Sequence, residues 1–195
     1  AAGNAGQSFL MARYHLENKS SATLQGKLFI AVRPFQVLPP WQELNIVGGA
    51  SRIDSLKYLD GVVRVNQNKK IIPLAMPAGF GATDFAAGEV TEYLQQGALP
   101  PNSKAVDPLS FASGALQFDF NLAARSDQEI ILLVPFHEMT TGAGPTMSSE
   151  SAKIFADLAL GQTRGFWESK LNAIEIKLPE TAQEIVNTFK SQLAY

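Results

Sequence analysis

The sequence predicts a mainly β protein, built of antiparallel strands and ending in helices. Three observations predict it. Apolar and polar residues alternate in several segments between residues 8 and 136. Turn-forming residues separate those segments, Asp60-Gly61 most clearly. After Gly142-Ala143-Gly144-Pro145 the apolar spacing becomes helical. A run of strands followed by a run of helices points to a β-domain over 8–146 joined to a helical segment over 147–195.

The first strand spans residues 8–17. Arg13, His15 and Glu17 fall on one face, and Leu10, Ala12, Tyr14 and Leu16 on the other. Asn18-Lys19-Ser20-Ser21 is a turn; its first three residues also match the N-glycosylation sequon, a short pattern that recurs by chance. A more continuously apolar strand follows over 26–35, and the two read as an antiparallel pair. Pro34, Pro39 and Pro40 lack the N–H that a ladder needs, so residues 36–51 read as a surface excursion.

Three strands are expected next, near 51–59, 61–67 and 70–76. Asp60-Gly61 turns the first pair and Asn66-Gln67-Asn68-Lys69 the second. Residues 77–108 are rich in Gly, Ala and Pro. A short helix is expected over 88–96, with Gly97 as its C-terminal cap. Strands near 115–123 and 129–136 follow, joined at Arg125-Ser126-Asp127. In the first, Leu116, Phe118, Phe120 and Leu122 alternate with polar residues; the second is Ile-Ile-Leu-Leu-Val.

Beyond residue 146, Ala152, Phe155, Ala156 and Ala159 share one face of a helix over 149–160. A second helix over 163–173 sets Trp167 and Leu171 four apart, with Trp167 expected in the core. Residues 173–178 look strand-like. Thr181-Ala182-Gln183-Glu184 matches a capping box, and the helix it opens carries Ala182, Ile185, Val186, Phe189 and Leu193 on one face through to Tyr195. That stripe reads as a joint to something downstream.

Composition narrows the function classes. A chain of 195 residues with 46% hydrophobic and 17% charged residues can bury a full core without disulfides or metals. The net charge is −2 and no basic block occurs, which argues against nucleic-acid binding. No apolar run approaches the ~18 residues of a membrane-spanning helix. Cysteine is absent, which removes thiol nucleophiles and cysteine-ligated metals. No cofactor or metal is implied.

Catalytic signatures mostly fail. His137-Glu138 lacks the second histidine of the HExxH spacing, since Thr141 stands there. No GxSxG is present. Gly79-Phe80-Gly81 has Asp84 where a dinucleotide loop needs glycine. Asp84, Glu89 and Glu92 cluster in sequence, but paired carboxylates act only at a set separation, and a solvated helix face accounts for them equally well. His15 and His137 are the two candidates for an imidazole acid/base.

Arg33, Phe35, Gln36, Trp41 and Gln42 form the most distinctive local set. A fork-shaped donor, aromatic rings and amides sit in a segment that prolines hold extended. The set suits contact with an adjacent domain or a sugar; in the plainest reading Arg33 bonds loop carbonyls and Trp41 plugs the sandwich edge.

The segment carrying these residues, Leu28 to Gln42 with Arg33-Pro34-Phe35-Gln36 and Pro39-Pro40-Trp41-Gln42, resembles the β-rich domain that precedes the helical barrel in bacterial six-hairpin, (α/α)6, glycosidase-like proteins. Glucoamylases, glycogen-debranching-type enzymes and disaccharide phosphorylases are relatives. The stretch Gly88 to Gly97, the strands around Phe118-Asp119-Phe120 and Ile130–Pro135, and the end through Ile176-Lys177-Leu178-Pro179 and Ser191 to Tyr195 are similar too. The resemblance implies a galactose-mutarotase-like supersandwich, two antiparallel sheets face to face, with the last helices as a linker to a downstream helical barrel. It implies a non-catalytic role that braces the barrel and shapes substrate access, since the family's acid and base belong to the barrel. No catalytic residue is carried over. An independent carbohydrate-binding module and a mutarotase-like epimerase are the alternatives.

Overall fold

Strand β1 (Phe9–Glu17) alternates as its sequence does, and among the described residues it sits at an edge of a six-stranded antiparallel sheet. A computed structural model describes residues 8–38, 49–137, 147–173 and 175–192, with the backbone alone for 36–38 and 49–50. β1 pairs with β11 (Asp127–Pro135) over its whole length, Phe9 opposite Pro135 and Glu17 opposite Asp127. Next come β7 (Lys69–Pro73), β6 (Val62–Val65), β5 (Ser55–Leu59) and β9 (Lys104–Val106).

A second sheet has three strands, in the order β2 (Leu24–Val32), β10 (Ser113–Leu122), β8 (Gly79–Thr83). The two sheets share one core. Ile30, Leu116, Phe118 and Ala82 from the smaller sheet meet Leu56, Val63, Val65, Ile130 and Leu132 from the larger. The fold is therefore a two-sheet antiparallel sandwich with helices at its C-terminal end, as the strand pattern predicts.

Alternation decides the layers. Along β11, Ile130 and Leu132 face the sandwich core, whereas Ile131 and Leu133 face the other way. That second face is covered by helix α2 (Ser149–Leu171), whose Ala152 and Ala156 join Val62, Ile72, Leu74, Ile131 and Leu133 in a second cluster. A fully buried strand needs apolar residues on both faces, and this explains the unbroken Ile-Ile-Leu-Leu.

Turns behave as their residues dictate. Asp60 and Gly61 both take positive φ, as a two-residue hairpin turn requires, and join β5 to β6. The short helix α1 (Val90–Gln95) ends before Gly97, which has φ +69°. Two small strands, β3 (Gln36–Leu38) and β4 (Gly49–Ala50), pair with each other inside the expected excursion.

Other expectations are corrected. The strands expected from 26 and 51 begin at Leu24 and Ser55. Residues 149–171 form one helix rather than two. Ser148 caps it by accepting from Ser151 N, and the two glycines, 161 and 165, cost only about 1 kcal/mol each against 23 residues of helix. Trp167 is not core. It is 37% exposed and meets Phe166 edge-on at 5.4 Å, because only the first half of α2, through Ala159, is buried. Residues 175–179 form no strand, since no strand among the described residues supplies them a ladder. Thr181 makes no capping bond. It lies within the 3-10 turn Glu180–Ala182 that precedes α3 (Gln183–Gln192). On α3, Val186 is buried while Ile185 and Phe189 are exposed.

Candidate functional site: an aromatic loop end

One end of the sandwich gathers five chain segments: residues 33–35 after β2, 51–54 before β5, 84–89 after β8, 107–112 before β10, and the start of α1. Their joints are backbone hydrogen bonds. Phe35 O accepts from Ser51 N at 2.7 Å, and Ser110 O accepts from Ile53 N at 2.9 Å. Ala112 N donates to Ile53 O at 3.0 Å, and Asp107 N to Asp54 O at 2.9 Å.

Asp107 organises this end. It is 4% exposed, and its two carboxylate oxygens accept from different segments. Oδ2 takes Phe85 N and Oδ1 takes Leu109 N, each at 2.7 Å. A buried carboxylate is costly unless its lone pairs are filled, and backbone N–H donors fill them here. The result is a stiff loop pair that presents apolar side chains outward. Phe85 is 61% exposed, Leu109 62% and Phe111 44%, and the Phe85 and Phe111 rings lie 5.8 Å apart at 49°. Phe35, on the segment bonded to Ser51, is 64% exposed.

Arg33 stands at the same end. Its guanidinium donates to Glu89 Oε1 at 2.8 Å, and Thr91 donates to Glu89 Oε2 at 3.1 Å. The Arg33 hydrogen bond, chiefly, holds the Glu89 carboxyl below the usual carboxylate range. Ser113 Oγ, 1% exposed with its residue, receives Val90 N at 3.1 Å and so seats α1 on the sheet.

Of the residues singled out by sequence, Arg33 and Phe35 come to this end. β3 begins at Gln36, whose side chain lies outside the described residues, as do Trp41 and Gln42. Among the described residues Arg33 bonds the Glu89 carboxylate; the excursion carbonyls of 39–48 lie outside them. Phe85, Asp107 and Phe111 escaped the sequence reading. Asp107-Pro108 is a turn-initiating pair, and that was the available signal; nothing local to it says that Phe85 sits across from it.

The carboxylates clustered in sequence are spread among local tasks. Asp84 Oδ1 accepts from Ala87 N at 2.8 Å, and Glu89 bonds Arg33. His15 lies elsewhere, on β1, with Nδ1 at 3.5 Å from Glu129 and 3.8 Å from Asp127. It is an open strand face, the His15 side chain being 53% exposed. His137 is exposed. The loop end thus offers apolar rings and a satisfied ion pair, groups suited to contact. Comparison with protein-family models and with curated proteins finds no match to this chain.

Proposed function

We propose that this chain is a non-catalytic β-sandwich domain of a carbohydrate-active, glycoside hydrolase-like protein, and that its aromatic loop end braces a neighbouring helical-barrel domain of the same polypeptide and shapes access to it. One observation carries the reading: Phe35, Phe85, Leu109 and Phe111 are exposed on loops that the buried Asp107 carboxylate and a chain of backbone hydrogen bonds hold stiff. Large apolar side chains that stay out of a core, on a rigid support, suit an interface more than a solvated loop. The resemblance around Arg33-Pro34-Phe35-Gln36 supplies the class of neighbour.

Amide exchange tests it. In a polypeptide that continues into a helical barrel, the amides of 84–88 and 107–112 exchange more slowly than in the 195-residue chain. Equal rates in both sink the reading.

The tilted Phe85–Phe111 pair also favours a second reading, a glycan-binding module, because flat apolar rings suit sugar faces. Calorimetry with α- and β-glucans separates the two. Saturable binding that Phe85→Ser abolishes supports the module. A mutarotase-like epimerase would rest on His15 with Glu129, the His–carboxylate approach described on β1. Polarimetry on fresh glucose and galactose tests it, and an unchanged equilibration rate removes it.

A further inference from the structure

β1 is the last strand of its sheet among the described residues. Its register shows which way each peptide points. Ser8 O accepts from Phe136 N, and Asn18 N donates to Ser126 O. Both pairs continue the register that sets Phe9 opposite Pro135. Hydrogen-bonded and non-hydrogen-bonded pairs alternate along an antiparallel ladder. The even-numbered residues of 8–18 therefore turn N–H and C=O toward β11. Phe9, Met11, Arg13, His15 and Glu17 turn theirs outward, to the edge on which no further strand lies among the described residues.

The same five residues carry side chains on the α2 side of the sheet. Phe9 and Met11 pack in the helix-side cluster, and Arg13 donates to Asp157 of α2 at 2.7 Å. Beside them a cavity of about 360 Å³ opens between β1 and α2, lined by Phe9, Met11, Phe136, Ala156, Ala159 and Leu160 among others. Such a volume accommodates one or two large side chains. A strand added to β1 would lie ~4.8 Å beyond it. Its residues opposite Phe9 and Met11 would point to the same side, toward this cavity.

The far end of β1 differs in charge. Arg13 and Lys19 stand there with four carboxylates, Glu17, Asp127, Glu129 and Asp157. Glu129 and Asp157 lie 2.7 Å from Arg13, and Glu17 lies 3.3 Å from Lys19. Asp127 and Glu129 flank His15 at 3.8 and 3.5 Å. Apolar at one end and acidic at the other, the edge has a direction.

We propose that β1 and α2 form a groove that captures an extended peptide by strand addition, with apolar side chains seated opposite Phe9 and Met11 and basic side chains opposite His15 and Glu17. Backbone bonds supply the affinity in this mode, and side-chain pockets at alternate positions supply the specificity. The proposal stands apart from the aromatic loop end and from any role in carbohydrate chemistry.

The probe is an acetylated nine-residue peptide set antiparallel to β1. It has leucine opposite Phe9 and Met11, lysine opposite His15 and Glu17, and threonine elsewhere. Fluorescence anisotropy against the 195-residue chain is expected to saturate. Methylating the backbone nitrogens of the leucines and lysines, which face β1, weakens binding at least tenfold; methylating alternate threonine nitrogens changes it less than twofold. Glutamate in place of the peptide lysines weakens it as well. Leu160→Glu, at an exposed position on the cavity wall, lowers affinity at least fivefold while circular dichroism stays unchanged. Absence of saturation at millimolar peptide overturns the proposal, and so does equal sensitivity to both methylation patterns. A dimer of the chain that the peptide does not dissociate and that His15→Pro converts to monomer also overturns it, because a second copy then covers β1.

Discussion

The side-chain amide of Asn18 donates to the carbonyl of Ala123 at 2.8 Å, and so ties the turn after β1 to the turn after β10. The same nitrogen also reaches Ala22 O at 2.8 Å and Leu122 O at 3.1 Å, and Oδ1 accepts from Ser20 N and Ser20 Oγ. Asn18 is 2% exposed. The sequon nitrogen is thus consumed by three carbonyls, and the folded chain offers it to no glycosyltransferase. Asn18→Ala takes a donor from each of those carbonyls; Ala22 O keeps Ser20 Oγ and Ala123 O keeps Ser126 Oγ, and a loss of about 1–3 kcal/mol is expected. Urea unfolding measures it, and a loss below about 1 kcal/mol contradicts the assignment.

Asp107 joins two loops through its carboxylate, so Asp107→Ala removes the acceptor for both Phe85 N and Leu109 N. About 2–4 kcal/mol is expected to be lost. Amide exchange at Phe85 and Leu109 should rise more than in the strands. Retention of slow exchange at both would show that packing of the rings, not Asp107, holds the loops.

Arg13 forms a fork on Glu129, with Nε and Nη2 each at 2.8 Å, while Nη1 bonds Asp157 at 2.7 Å. Both partners raise its already high pKa, Glu129 most. Arg13→Ala leaves Glu129, 11% exposed, without its main counter-charge, at a cost of about 1–3 kcal/mol. Asp157→Asn costs less than about 1 kcal/mol, because that carboxylate is 55% exposed. Equal losses in the two variants contradict this ranking.

Register sets four cations in a row across neighbouring strands. Lys104 faces Lys57, Lys57 faces Arg64, and Arg64 faces Lys70. Like charges directly opposite destabilise a sheet. Lys57→Glu turns two repulsive pairs into attractive ones, and a gain of roughly 0.5–1.5 kcal/mol is expected at low salt. The gain shrinks as salt is added, by screening. A destabilised variant contradicts the register.

Glu89 has a lowered pKa in the folded chain, chiefly through Arg33, relative to its ordinary 4.5. A depressed carboxylate contributes stability above its unfolded pKa and loses it as pH falls through the folded value. Both side chains are nearly half exposed, so the contribution is below about 1 kcal/mol. Glu89→Gln is expected to flatten the decline in urea midpoint below about pH 4.5. A decline as steep as in the parent chain removes the Arg33 contribution.

The positions of β1, β2, β5, β6, β7, β10 and β11, the Asp60-Gly61 hairpin, the Gly97 helix end and the mainly β class are legible in the sequence, because each follows from neighbours within a few residues; β8 and β9, in the Gly- and Pro-rich 77–108, and the short β3 and β4 carry no such alternation and exist only through their partners. Alternation along β1 sorted Arg13, His15 and Glu17 from Leu10 and Leu16 before any partner was known, and Arg33 and Phe35 stood out by residue type. What the sequence leaves open is every relation between distant segments. Asp107 meets Phe85 across 22 residues, Asn18 meets Ala123 across 105, and Arg13 meets Asp157 across 144. The four cations align only once three strand registers are set. Local periodicity specifies which face a side chain takes, but pairing and packing choose the face it meets, and that choice belongs to the tertiary structure.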